Sequence, residues 1–305
     1  MPHSGSVRAI LYALGANLGI AAAKFAAAGL TGSGAMLAEG VHSLADCANQ
    51  GLLFLGLARA RRPPDADHPL GHGKALYFWS FVVALMLFSM GGLFSVYEGL
   101  HKLGQPAGDG HGLDRPWIAV VVLVLGLVLE GLSLTGALRE TRDARRGRTL
   151  WRWFRESRRS ELLVVVGEDL GALLGLSIAL AAVGLAVVTG NPAWDAWGSV
   201  GVGVLLVLIA LAVAVEVKGL LIGESAGPEF ERGVRSFLDA HPAVDGVLNL
   251  ITLQLGPDVM VAVKARMAPA GSAAAMVEAI NACERDLKRA FPQVRWLFFE
   301  PDVLP

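Results

Sequence analysis

Glu39, His42, Asp46 and Asn49 stand three, four and three residues apart in the otherwise apolar stretch Ala35-Met-Leu-Ala-Glu-Gly-Val-His-Ser-Leu-Ala-Asp-Cys-Ala-Asn49. On a helix turning about 100° per residue, these spacings put all four on one stripe roughly 80° wide. The stretch runs from about Gly34 to Leu57, long enough to cross a bilayer. Ionisable groups at that depth cost several kcal/mol and face a partner or a watery path. Imidazole and carboxylate one helical turn apart suit a borderline divalent cation such as zinc. The chemistry implied is metal binding inside a membrane. Cys47 could add a soft ligand, but it lies about 100° around the helix from Asp46.

The elements that must carry this stripe are mostly apolar. The chain is 54% hydrophobic and only 17% charged, with mean hydropathy +0.53, against about 25% charged residues in soluble domains. Six stretches read as transmembrane helices: about 7–29, 34–57, 75–101, 116–138, 161–189 and 194–222. Breakers such as Thr31-Gly-Ser-Gly34 and Thr189-Gly-Asn-Pro192 separate them. Gly167, Gly171 and Gly175 recur every four residues in the fifth stretch, a pattern that lets another helix approach closely. Lys24, Glu98, Glu130 and Glu216 fall in or near spans and read as interfacial or bundle-pairing residues.

Loop charge sets the orientation. Arg59, Arg61, Arg62 and Lys74 follow the second stretch, and Arg139, Arg142, Arg145, Arg146, Arg148, Arg152, Arg155, Arg158 and Arg159 follow the fourth. The loops on the other side carry only Lys102 and Arg115. Both termini are therefore expected in the cytoplasm, in a multi-pass protein of a bacterial inner membrane. The arginine run with Trp151, Trp153 and Phe154 reads as an anchor to anionic lipid. A net charge of −1 gives no reason to expect a nucleic-acid partner.

From about Gly223 the character is that of a small α+β domain, with membrane residues 1–222 and a cytoplasmic 223–305 as the expected division. A helix at 229–240 precedes a strand at Leu248–Leu255 and a turn at Gly256-Pro-Asp258. Val259, Val261, Val263 and Ala265 alternate with Met260, Ala262, Lys264 and Arg266 in a half-buried strand. A helix near 272–291 and a strand at about 294–300 complete the order αββαβ, a ferredoxin-like sandwich with helices on one face of a sheet.

Three motifs together resemble the cation diffusion facilitator family, whose members export zinc and related divalent metals in exchange for protons. They are His42-Ser-Leu-Ala-Asp46, Asp65-Ala-Asp-His-Pro-Leu-Gly-His-Gly-Lys74, and Asn191-Pro-Ala-Trp-Asp195 leading into Gly198-Ser-Val-Gly-Val-Gly203. The likeness spans nearly the whole chain. It implies a six-helix bundle with a cytoplasmic αββαβ domain, a homodimer paired through that domain, and a transport site joining helices 2 and 5. His42 and Asp46 match the helix 2 ligands. On helix 5 the usual pair aligns with Val165 and Asp169, so the first position is aliphatic. The fourth donor is left open among Glu168, Glu39, Asn49 and water. Glu-x-x-His-x-x-x-Asp on helix 2 with Glu168-Asp169 on helix 5 is most similar to the branch of mitochondrial-type zinc transporters. The resemblance also implies a secondary metal site at Asp65, His68 and His72. In the C-terminal domain His241 is retained, but Lys264 and Phe299 stand where imidazoles are expected, leaving Asp302 and Glu300 as oxygen donors. A binuclear site is not expected there, and the strand Trp296-Leu-Phe-Phe299 is expected to serve dimerisation.

His and carboxylate bind metal only when deprotonated, so metal and proton compete for one site. Alternating exposure of that competition gives antiport of Zn²⁺, or of Mn²⁺, Fe²⁺, Co²⁺ or Ni²⁺, against protons. A non-transporting metal sensor or scaffold and a conducting channel are the other readings. No nucleophile–base constellation or cofactor-cradling glycine loop suggests an enzyme.

Overall fold

The structure, a computed structural model, describes residues 3–104, 116–145, 147 and 149–304; the side chains of 3–16, 116, 137 and 140–145 fall outside the description. Helix α1 (His3–Thr31) and helix α2 (Gly34–Ala60) lead into α3 (Ala75–Met86), a π-helical stretch (Leu87–Leu93) and α4 (Phe94–Leu103). Then come α5 (Pro116–Arg145), the short α6 (Leu150–Glu156), α7 (Ser160–Thr189) and α8 (Ala193–Ile222). The chain finishes as α9 (Pro228–Asp239), β1 (Val244–Leu255), β2 (Asp258–Met267), α10 (Ala273–Ala290) and β3 (Val294–Pro301). The expected αββαβ order is present. Two compact units emerge: Met1–Leu55, Trp79–Leu150 and Glu161–Glu216 form one; Gly56–Phe78, Trp151–Ser160 and Val217–Pro305 form the other.

The first unit is inside-out relative to a water-soluble bundle. Leu125, Leu132 and Leu208 are 58–65% exposed, whereas Lys24, Glu39, His42 and Asn49 are fully buried. Such a distribution is stable where the surroundings are apolar. Among the described residues four helices are long and apolar enough to cross a membrane: Ala75–Leu103, Trp117–Gly136, Ser160–Thr189 and Ala193–Ile222. Helix α2 is not among them, and much of α1 lies outside the described side chains. For α2 the reason is its own stripe of Glu39, His42, Asp46 and Asn49, with Arg59 near its end, which dilutes an otherwise apolar run. The glycine ladder of α7 is a packing face, as its spacing predicts. A Cβ at Gly167 would meet Val213 at 2.9 Å, and one at Gly171 would meet Leu206 at 3.1 Å, both on α8. One at Gly175 would meet Glu39 Oε1 of α2 at 2.8 Å.

In the second unit a three-stranded sheet has the order β1-β2-β3. β1 and β2 pair antiparallel, and β2 and β3 pair parallel, with α10 as the crossover. Val259, Val261, Val263 and Ala265 point into a core with Val234 and Leu238 of α9 and Cys283 and Leu287 of α10. Strand β1 starts four residues before the expected Leu248. Its register shifts between Val244 and Gly246 and between Val247 and Asn249, so simple alternation fails there. Helix α6 was not legible in the arginine run. Of that run, Arg142, Arg145, Arg146 and Arg148 lie outside the described side chains, as does Arg115. Arg158 is spent within the unit, paired with Glu224 and donating to the Ser225 carbonyl at 2.7 Å.

The segment before α3 is clasped to the β1–β2 turn. Gly256 turns the hairpin at φ +67°, in the left-handed region that favours glycine. Its N–H donates to the buried Tyr77 hydroxyl at 2.9 Å, and that hydroxyl donates back to the Gly256 carbonyl at 3.5 Å. Gly73 lies so close that a Cβ would sit 2.1 Å from the Leu255 carbonyl oxygen, a backbone atom that cannot swing aside. Gly73→Ala is therefore expected to destabilise the protein by about 1–3 kcal/mol. Thermal unfolding of the detergent-solubilised chain, followed by tryptophan fluorescence, checks this; an unchanged midpoint would show that the clasp yields freely.

Candidate metal centre

Helix α2 carries the polar stripe, and its start is fixed by side chains. Ser33 caps it, its hydroxyl accepting from Met36 N–H at 3.1 Å. Asp195, at the start of α8, accepts from the Ser33 hydroxyl at 2.6 Å and from Gly34 N–H at 2.7 Å. A carboxylate at a helix N-terminus also meets the positive end of the helix dipole. Lys102 of α4 stands 3.7 Å from the same carboxylate. These bonds set the axial position of everything further along α2.

One turn on, Glu39 is taken up by a buried cation. The Lys24 ammonium of α1 donates to Glu39 Oε2 at 3.1 Å and to the Ser43 hydroxyl at 2.7 Å. Glu39 and Ser43 are one turn apart, so a single lysine spans the two positions. Both charged side chains are fully buried. Glu39 is thereby turned to α1 and does not line the cavity described below.

His42 and Asp46 face each other, Nε2 to Oδ2 at 3.5 Å. That is within ion-pair reach but lacks hydrogen-bond geometry, and both His42 nitrogens and Asp46 Oδ1 are buried without a hydrogen-bond partner. Buried polar groups are ordinarily bonded. Unspent donor atoms on an imidazole and a carboxylate fit a metal ion. His42 also lies beside the π-helical stretch, where a Cβ on Gly91 would come 3.6 Å from His42 Nδ1. Such stretches are frequent at functional sites. Asn49, a further turn on, donates to Glu168 Oε1 of α7 at 2.6 Å. Asn49 thus joins α2 to α7.

A cavity of about 40 Å³ opens beside this stripe, more than the roughly 10–15 Å³ one water needs. Asp46 of α2, Glu130 and Ser133 of α5, and Glu168 and Asp169 of α7 all line it. Glu168 and Asp169 both line the cavity despite their roughly 100° separation on the helix. The Ser133 hydroxyl donates to Asp169 Oδ2 at 3.2 Å. Val165 is half buried and is not part of the lining. Of the nine sequence-predicted residues, Asp46, Glu168 and Asp169 meet here, with His42 against Asp46. Glu130 and Ser133 were missed. The available signal was that Glu130 is the sole ionisable residue between 116 and 138.

Asp65, His68 and His72 form a second cluster in the other unit, one ligand atom from each lying within 4.8 Å of the others. Asp65 contacts His72 Nε2 at 2.9 Å and His68 Nδ1 at 3.2 Å, and accepts from His68 N–H at 2.7 Å. The His72 contact, then the His68 N–H, hold its carboxyl down at about 2. Its folded-state pKa lies below the ordinary value of about 3.9. The stability these contacts contribute is thus complete above that value and lost as pH falls through about 2. In the sheet, the Lys264 ammonium sits 2.8 Å from Asp302, and its hydrogen bond is the main reason the Asp302 carboxyl is held at about 2. A cation thus occupies the carboxylate that the sequence offered as an oxygen donor. His241 accepts from Ala243 N–H at 3.2 Å and faces Asp286 at 3.6 Å.

An apolar helical unit with buried donors around a polar cavity defines a polytopic membrane protein built to handle cations. Residues 10–222 match the cation efflux transmembrane domain, and the chain belongs to the cation efflux family. It is 34% identical over 235 residues to the human "Proton-coupled zinc antiporter SLC30A9, mitochondrial", an alignment covering 76% of this chain and 41% of that protein. It is 32% identical over 254 residues to "Metal tolerance protein C4" of Arabidopsis thaliana, covering 83% of this chain and 55% of that one. A shorter stretch of 78 residues is 36% identical to the magnetosome protein MamM of Magnetospirillum gryphiswaldense. The chain spans about two fifths of the length of the SLC30A9 relatives.

The Lys24–Glu39 pair makes a prediction separable from metal chemistry. Breaking a buried pair from one side leaves an uncompensated charge and costs about 3–5 kcal/mol. Glu39→Gln and Lys24→Met are each expected to lower the thermal midpoint, whereas the double variant recovers most of the loss. Equal destabilisation by the double variant in the same melting assay would show that the two charges do not act as a pair.

Proposed function

We propose that this chain is a secondary transporter that exports divalent metal cations, Zn²⁺ above all, in exchange for protons. The observation that carries the reading is the buried, unspent donor set of His42 and Asp46 beside a cavity lined by Asp169 and Glu168. Imidazole with carboxylates suits Zn²⁺, Co²⁺, Ni²⁺ or Fe²⁺ better than Mg²⁺ or Ca²⁺. The naming of the SLC30A9 relatives as proton-coupled zinc antiporters favours zinc and protons as the exchanged pair.

In this reading His42, Asp46 and Asp169 hold the ion and Glu168 completes or tunes the shell, with Asn49 orienting Glu168 through their hydrogen bond. Metal enters when the donors are deprotonated on one side. Protons displace it when the site faces the other. Glu39 acts through its pairing with Lys24 and not as a donor. We assign six spans to residues 1–222 and a cytoplasmic domain to 223–305, with loop charge favouring both termini in the cytoplasm. The arginine run is assigned to the anionic lipid surface. Dimerisation is assigned to the open face of the sheet, where Ile251 and Phe298 are 54% and 55% exposed. In this reading Asp65, His68 and His72 bind an accessory metal outside the bilayer.

Proteoliposomes carrying a zinc-sensitive dye test the central claim. Saturable zinc flux driven by a pH gradient is expected from the unaltered chain, and binding without flux would overturn it. His42→Ala, Asp46→Ala and Asp169→Asn should each abolish flux, and Glu168→Gln should weaken it substantially. Normal flux from purified, folded His42→Ala or Asp46→Ala would remove those residues from the site.

Replacing Asp65, His68 and His72 together should lower apparent affinity yet leave measurable turnover, because a site outside the bilayer cannot be the one that alternates. Complete loss of flux in a well-folded triple variant would reverse this ranking of the two clusters.

A further inference from the structure

Helix α5 presents one ionisable residue in its apolar stretch, and the fold turns it inward. Glu130 lines the same cavity as Asp46, Glu168 and Asp169. One turn on, Ser133 lines it too and holds Asp169 at 3.2 Å, so α5 is tied to the donor face of α7. An acidic side chain inside a span is retained where a partner or pathway offsets its cost. Among the described residues no lysine, arginine or histidine lines this cavity. The nearby buried lysine, Lys24, bonds Glu39 and Ser43 instead. The cavity therefore gathers four carboxylates with no cation in its lining.

A separate observation says that this charge awaits an ion. His42 is fully buried, both ring nitrogens lack hydrogen-bond partners, and Nε2 lies 3.5 Å from the cavity residue Asp46. Asp46 Oδ1 is likewise buried and unpartnered. On α7, Val165 brings no donor and stands outside the lining, and that helix reaches the cavity through Glu168 and Asp169.

We propose that Glu130 is an oxygen ligand of the transported cation, supplied by a third helix in place of a donor at position 165. This rests on the transport reading above and adds to it a ligand and a selectivity. The donor set becomes oxygen-rich, with one imidazole against carboxylates from α2, α5 and α7. Hard oxygen donors admit Mn²⁺ more readily than a set with a second imidazole would. A ligand on α5 also makes metal occupancy a clamp on three helices.

Calorimetric titration of the purified full chain with Zn²⁺ and with Mn²⁺, beside flux in proteoliposomes, tests the assignment. Glu130→Gln is expected to weaken Zn²⁺ binding about tenfold or more, as loss of a metal-supporting group does, and to weaken Mn²⁺ binding further. Glu130→Asp, which keeps a carboxylate, should recover much of the loss. Adding Val165→His to Glu130→Gln should restore Zn²⁺ binding but not Mn²⁺ binding, a reversal that a purely structural role could not produce. Unchanged affinities in Glu130→Gln would overturn the proposal. So would a loss that neither Glu130→Asp nor Val165→His recovers in monodisperse protein. If the unaltered chain binds metal but carries none, the transport reading fails while the binding series still decides the role of Glu130.

Discussion

Charge inside an apolar bundle is the constraint on which the first unit depends. Each ionised side chain there must be paired, hydrogen-bonded or reserved for a ligand, because neither lipid nor aliphatic neighbours can solvate it. Lys24 meets this by pairing with Glu39 Oε2 and bonding Ser43, while Glu39 Oε1 is left buried without a hydrogen-bond partner. Asp195 meets it by capping α2 and by its nearness to Lys102. His42 and Asp46 do not fully meet it, and neither does Asn49, whose Oδ1 is also buried without a hydrogen-bond partner.

Close helix packing brings these groups together. Glycines at 167 and 171 let α8 press against α7 through Val213 and Leu206, and Gly175 leaves room for the Glu39 carboxylate. The π-helical stretch Leu87–Leu93 brings Gly91 beside His42, where an added Cβ would come 3.6 Å from Nδ1 and 3.2 Å from Leu206. Small residues thus give the polar stripe of α2 its tight lateral contacts.

The second unit solves a different problem, holding an exposed loop in one shape. Tyr77 bonds both polar atoms of the Gly256 peptide group, Gly73 lies against Leu255, and Arg158 reaches Glu224 and the Ser225 carbonyl. The loop bearing Asp65, His68 and His72 is therefore tied to the hairpin of the sheet. With the Asp65 carboxyl held at about 2, it stays anionic across the neutral range.

Much was decided by the sequence itself. Helix boundaries followed breakers such as Gly32 and Pro192, the valine alternation of β2 fixed its buried face, and the spacing of Glu39, His42, Asp46 and Asn49 placed them on one stripe. These are local properties, governed by periods of 3.6 and 2 residues. Which members of the stripe share a partner was not local. Glu39 and His42 look equivalent as ligands until Lys24, fifteen residues before Glu39, takes one of them. Glu130 looks like an isolated acid until the fold sets it across from Asp46 and Asp169. Asn49 finds Glu168 at a separation of 119 residues. Periodicity states which way a side chain points from its own helix, whereas the helix standing opposite is chosen by packing over the whole bundle, and only the tertiary structure holds that information.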